Sequence, residues 1–288
     1  MIAVMALMVP LAALGIASPA MATPKGAYKV FEQCPTSTPG VTLCTFGQTT
    51  SGSFTIGTTK VPINKTITLQ GGGIQDPAET NSFFLIPAKN GESISKTELN
   101  VPGGLLGLVN CEEIKEPIAR AWCKAIFENK FTGVTATTEL VANEENPAIL
   151  TPANIVEETG TGLTLPIRVH LKNPLLGNSC YIGSESNPVE LHLTSGTTSP
   201  PEPNKPISGK KGTFSIEEEA IVVLTENSLV DNSYSAPAAE GCGEGLSFLV
   251  DPILNKKLQL PAAAGHNTAI LEGTLRTTSA AAVIASEK

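Results

Sequence analysis

His170 and His192 are the residues whose chemistry can be weighed first, because each sits in a stretch with an unbroken period of two. Leu163, Leu165, Ile167, Val169 and Leu171 alternate with Thr164, Pro166, Arg168, His170 and Lys172, and the alternation returns at Val189-Glu190-Leu191-His192-Leu193-Thr194. Successive side chains of a strand point to opposite faces, so both imidazoles belong to polar, wet faces. If the two strands pair, the rings come close, and with Glu190 they have donor types suited to zinc. No third ligand is placed by the spacing, so the expectation is two solvated histidines and no metal. His266, in the small-residue turn Ala262 to Asn267, reads as a loop histidine.

Nucleophilic catalysis finds little support. A serine hydrolase needs nucleophile, base and orienting acid, and the G-x-S-x-G elbow is absent; Gly177-Asn178-Ser179-Cys180 is the nearest fragment and does not fit. Asp76, Asp231 and Asp251 are each followed by Pro or Asn in turn-like contexts. Glu217-Glu218-Glu219 reads as a solvated charge run rather than a glycosidase pair. With one Trp and three Tyr, the chain is poor in the aromatic platforms that stack sugars. No D-x-D-x-D-G calcium loop is present. Gly71-Gly72-Gly73 is followed by neither Gly-Lys-Ser nor a helical pattern, so it reads as a turn or bulge, not a phosphate loop. No catalytic residue and no cofactor is expected.

The six cysteines, Cys34, Cys44, Cys111, Cys123, Cys180 and Cys242, are even in number and contain no C-x-x-C pair, which favours disulfides over a metal or redox motif. Pairing neighbours in sequence closes one structural unit each time, so Cys34–Cys44, Cys111–Cys123 and Cys180–Cys242 are the expected bonds.

The elements that must position these residues are mostly strands. The pattern predicts them at Tyr28–Phe31, Val41–Phe46, Ser53–Ile56, Val61–Leu69, Phe83–Ile86, Phe131–Ala142, Leu163–Lys172, Val189–Thr194, Thr213–Thr225, Leu246–Val250 and Thr268–Ile284. Loops are expected at Asn143 to Asn154, Gly196 to Gly212 and Asn227 to Glu244. One helical insert interrupts the pattern at about 103–129. There Ile114, Ile118, Ala121, Trp122, Ala125 and Ile126 recur at helical spacing, with Pro117 in the first turn. The expected role is a plug for the open end of a sandwich with Trp122 in the core; a lid or interaction surface is the other reading. The fold class is therefore mostly β: an antiparallel β-sandwich or flattened barrel with one short helical insert.

Residues 1–22 read as a signal peptide: an apolar run from Ile2 to Ile16, then Ala20-Met21-Ala22 as an A-x-A cleavage pattern, though no Lys or Arg precedes the run. Residues 23–288 are then a single secreted β-rich domain, not an integral membrane protein once the signal is cleaved. The net charge of −8, without any basic block, does not suit nucleic acid or an anionic lipid surface.

Val169 to Gly183, with Asn173-Pro174-Leu175-Leu176-Gly177-Asn178-Ser179-Cys180-Tyr181, together with Gly196-Thr197-Thr198-Ser199-Pro200-Pro201 and Pro203 to Gly209, resembles a group of secreted β-rich proteins of high-GC Gram-positive bacteria. The resemblance covers the second half and implies secretion. The expected function is a non-enzymatic extracellular or cell-envelope structural or adhesive protein. Two alternatives stand beside it: a secreted hydrolase of cell-wall or polysaccharide material, and a small apolar ligand binder whose pocket is lined by Gly103 to Val109.

Overall fold

The computed structural model describes residues 23–105, 114–127 and 133–288. The fold is mostly β, as the alternating patterns imply: one antiparallel sheet of 14 strands that does not close. In chain order these are β1 (Val41–Ile56), β2 (Thr59–Pro62), β3 (Ile67–Gln75), β4 (Phe83–Pro87), β5 (Leu99–Asn100), β6 (Thr135–Leu140), β7 (Ile149–Leu150), β8 (Leu163–Lys172), β9 (Tyr181–Ile182), β10 (Val189–Leu193), β11 (Thr213–Glu217), β12 (Ile221–Asp231), β13 (Ala239–Glu240) and β14 (Thr268–Ser279). Described helices are α1 (Pro117–Phe127), α2 (Pro152–Glu157), α3 (Ser247–Leu258) and α4 (Ala280–Ser286), with a 3-10 turn at Gly26–Phe31.

The sheet runs β11-β12-β14-β1-β3-β4-β7-β8-β6-β5, with β10 and β9 beside β8. It folds over so that Leu165, Ile167 and Leu191 of β8 and β10 pack in one core with Leu229, Leu275 and Ala269 of β12 and β14. A single bridge, Thr194 with Val230, ties the end of β10 to β12. The alternation at β8 works as read: Leu163, Leu165, Ile167, Val169 and Leu171 are all buried.

A second, smaller core lies on the outer face of the sheet. The 3-10 turn and α4 cover Ile221 and Val223 there, around the Cys34–Cys44 disulfide.

Several boundaries differ from expectation. Tyr28–Phe31 is a 3-10 turn, not a strand; four residues are too few for period to discriminate, and burial of Phe31 decides. Val41–Phe46 and Ser53–Ile56 are one strand of 16 residues, with a register shift between Thr49 and Ser51. Gly71-Gly72-Gly73 is not a turn; a bulge does lie beside it, in β1, where the register shifts between Val41 and Leu43 opposite Ile74 and Gly73. The three glycines lie inside β3, where a Cβ on Gly72 would stand 2.8 Å from Val41 and 2.9 Å from Pro35.

The loop expected at Asn143 to Asn154 contains β7 and the start of α2. Leu246–Val250 belongs to α3 and the turn before it: Val250, Leu254 and Leu258 are buried at helical spacing, while Pro252 lies inside the helix and made the stretch look terminated. The last strand ends at Ser279, whose hydroxyl accepts the Ala282 N–H at 3.1 Å and caps α4. The helical insert is thus one helix among several. Its α1 begins at Pro117 as expected, but Trp122 is 55% exposed rather than in the core, because Cys123 marks the face that packs inward.

Candidate functional site: the split seam and its polar row

β8 is flanked on one edge by β10 and β9. On the other edge lie β7, at Leu163 and Thr164, and β6, from Ile167 to Lys172. β7 also pairs with β4, but only at Phe83 and Phe84, and Leu85 adds one bond to the Ala148 carbonyl. Beyond that point β4 and β6 diverge. Among the described residues, Ile86 and Pro87 have no strand on that side. β6 is likewise open from Thr137 onward on the side away from β8, because β5 pairs only with Thr135 and Ala136.

Between these two free edges lies an open groove of about 700 Å³, rimmed by Glu92, Lys96, Glu139 and Glu144. Ile94 and Thr138 form its floor and separate it from an apolar cavity of about 70 Å³; Thr138 also lines a second of about 50 Å³. Pockets for small molecules run to roughly 300–1,000 Å³. Both interior cavities fall below that range, and the groove falls within it. Of the proposed lining segment Gly103 to Val109, Leu105 is buried in the core and residues 106–109 lie outside the described residues.

A polar row runs from the groove across the outer face. Glu139 accepts from Arg168 Nε at 2.8 Å, and its other oxygen is 3.7 Å from His170 Nδ1. The His170 ring stacks on Tyr181 at 4.3 Å between centroids, and the Arg168 guanidinium lies 4.5 Å above the same ring. The register makes this row: Thr137 opposes His170, and His170 opposes Tyr181. Burial pushes the His170 pKa below its ordinary value; Glu139 opposes the shift, while Lys172 and Arg168 add to it. His170 Nε2 and Thr137 Oγ1 are buried with no hydrogen-bond partner.

The two anchor histidines do not meet. Their strands pair as expected, but His192 stands opposite Thr164, six residues from His170, or about 20 Å along the strand. His192 is half exposed, with Nε2 3.6 Å from Glu190. No group of three or more His, Cys, Asp or Glu that could hold a metal occurs among the described residues. Asp231 instead serves the backbone: its carboxylate accepts from His192 N at 2.7 Å and Ser233 N at 2.8 Å, and burial raises its pKa. Of Glu217-Glu218-Glu219, Glu217 ends β11, and Glu218 and Glu219 begin the turn to β12.

Two expected disulfides are present, Cys34–Cys44 and Cys180–Cys242. Asp251 of α3 accepts from the backbone N–H of Gly241 and Cys242, which sets Cys242 against Cys180. Cys123 is disulfide-bonded; Cys111 lies outside the described residues. Such bonds belong to an oxidising environment. No described helix is long and apolar enough to cross a membrane.

No protein-family model, curated protein or solved structure matches the chain. Residue spacing already set Arg168, His170 and Lys172 on one face, and that was the available signal for the polar row. The groove left no such signal, because it depends on which strands fail to pair.

Proposed function

We propose that the protein is a secreted, non-enzymatic adhesive protein of the cell exterior that binds an extended segment of its target in the seam groove. The observation that carries this reading is the pair of free strand edges, β4 and β6, facing each other across a groove of about 700 Å³. A free edge offers unpaired N–H and C=O groups to an added strand; here they come chiefly from β6, since Pro87 of β4 has no N–H, and the side chains around the groove select what enters. Two rim carboxylates are already engaged, Glu139 with Arg168 and Glu92 with Lys96 at 3.2 Å, so the groove favours holding over acid–base work. The disulfides suit exposure outside the cell.

The test is to mix the purified protein with washed cell-wall and polysaccharide preparations and to measure both adsorption and release of reducing ends. Saturable adsorption without release, lost when Ala142→Trp fills the groove, is the expected result. Release of soluble fragments that disappears in Glu144→Gln overturns it in favour of a hydrolase.

A further inference from the structure

One bond just past the end of β6 fixes where its backbone groups point. The Val141 N–H donates to the Pro166 carbonyl of β8 at 3.0 Å. In an antiparallel pair, residues that bond the facing strand alternate with residues that turn N–H and C=O away from it. Glu139 and Thr137, opposite Arg168 and His170, therefore bond toward β8 as Val141 does. Thr138 and Leu140 lie between them and turn their N–H and C=O the other way, into the groove that both line. Leu171 agrees with this parity: it stands opposite Ala136, yet its N–H donates to Cys180 on the far side of β8. Among the described residues, the four backbone groups of Thr138 and Leu140 have no partner. They recur two residues apart, at roughly 7 Å.

The side chains of β6 sort in the same alternation. Thr138 lies on the groove floor beside Ile94, and Leu140 packs against the core. Glu139 points outward, where it meets Arg168. A strand added to β6 thus has one face over Thr138, Leu140 and Ile94, and the other beside carboxylates. Four charged residues line the groove: the acids Glu92, Glu139 and Glu144, and the single base Lys96. Lys96 is held by Glu92, and Glu139 by Arg168, while Glu144 forms no ion pair among the described residues. The local charge therefore favours a cationic guest.

We propose, building on the groove as the target-binding site, that the segment it holds is a polypeptide of alternating apolar and basic residues, antiparallel to β6. A polypeptide repeats an N–H and a C=O at the spacing that Thr138 and Leu140 present; a polysaccharide does not. The direction follows from the two walls. β4 and β6 run opposite ways, so an inserted strand is antiparallel to one of them only, and Pro87 leaves the end of β4 without a donor. Guest residues opposite Thr138 and Leu140 share their inward face and are apolar. Those between them point outward, toward Glu139 and Glu144, and are basic.

Titration of the purified protein with a short synthetic peptide alternating lysine and valine, followed by nuclear magnetic resonance, tests this. Saturable binding is expected, and the Thr138 and Leu140 amides should exchange fast in the free protein and slowly in the complex. N-methylation of the peptide on the edge that meets β6 should weaken binding roughly tenfold. A peptide alternating glutamate and valine should bind several-fold more weakly than the lysine peptide. Glu144→Lys, at an exposed position, should narrow or reverse that preference, and it decides the matter if Ala142→Trp does not fold. Failure of the lysine peptide to bind, while adsorption to walls still depends on Ala142, overturns the polypeptide assignment and leaves the groove as the binding site. Loss of that adsorption as well removes both. Binding that leaves Thr138 and Leu140 unprotected, or that ignores N-methylation, overturns the strand pairing.

Discussion

Thr137 on β6 and His170 on β8 stand opposite each other, and each buries a polar atom, Oγ1 and Nε2, that has no hydrogen-bond partner. A buried unsatisfied hydroxyl is a cost to the fold, and an apolar group of the same shape removes it. Thr137→Val should therefore stabilise the protein by about 1 kcal/mol, read as a melting temperature roughly 2–4 °C higher. A lower melting temperature would mean that the hydroxyl is satisfied in solution.

His170 also makes stability depend on pH. Burial holds the His170 pKa below 6.5, with Glu139 opposing the shift. Between its folded value and 6.5 the unfolded chain binds more protons, so stability rises with pH across that window and falls as pH drops through it. Asp231 acts lower and with the opposite slope: its pKa is raised above 3.8, so stability falls as pH rises just above that value. Denaturant titrations of the wild type and His170→Gln from pH 4 to 8 separate the two. The component below 6.5 should vanish in the variant, while the Asp231 component stays.

Cys180 and Cys242 are 62 residues apart in sequence. On the chain-entropy account, a bond closing such a loop contributes roughly 4 kcal/mol. Cys180→Ala should lower the melting temperature by roughly 10 °C and leave Cys242 open to a thiol reagent once the chain is unfolded. An unchanged melting temperature would show that the grip of Asp251 and Asn255 on residues 239–242 suffices without the bond.

Trp122 is the one tryptophan, so its fluorescence reports a single environment. Because it is 55% exposed on α1, iodide should quench it nearly as well as it quenches a free indole. Trp122→Ala should change stability by no more than about 0.5 kcal/mol. A shielded, unquenchable emission would place the ring in the core after all.

Much of the frame was legible because period two is a local signal. The β8 and β10 faces could be read residue by residue, as could the antiparallel pairing of the two strands. Their register could not: it set His192 against Thr164 and so parted the histidines, and register is decided by the packing of Leu165, Ile167 and Leu191. Short stretches misled where a local cue conflicted with burial, as at Tyr28–Phe31 and at Asp251-Pro252. Trp122 misled for the opposite reason. A helical stripe shows which residues share a face but not which face is covered, and the face that carries Cys123 took the core.

β14 lies between β1 and β12, with Leu43 beside Ser279 and Asp231 beside Ala269. The junction between β1 and β12 is thus made by the last described strand in chain order. A nascent chain can form local hairpins such as β11–β12, but β1 and β12 have no neighbour to join them until Thr268 onward emerges. Partners so distant along the chain make for slow, late consolidation. A fragment ending before Thr268 should therefore fail to acquire cooperative structure, even though it holds all but one of the strands.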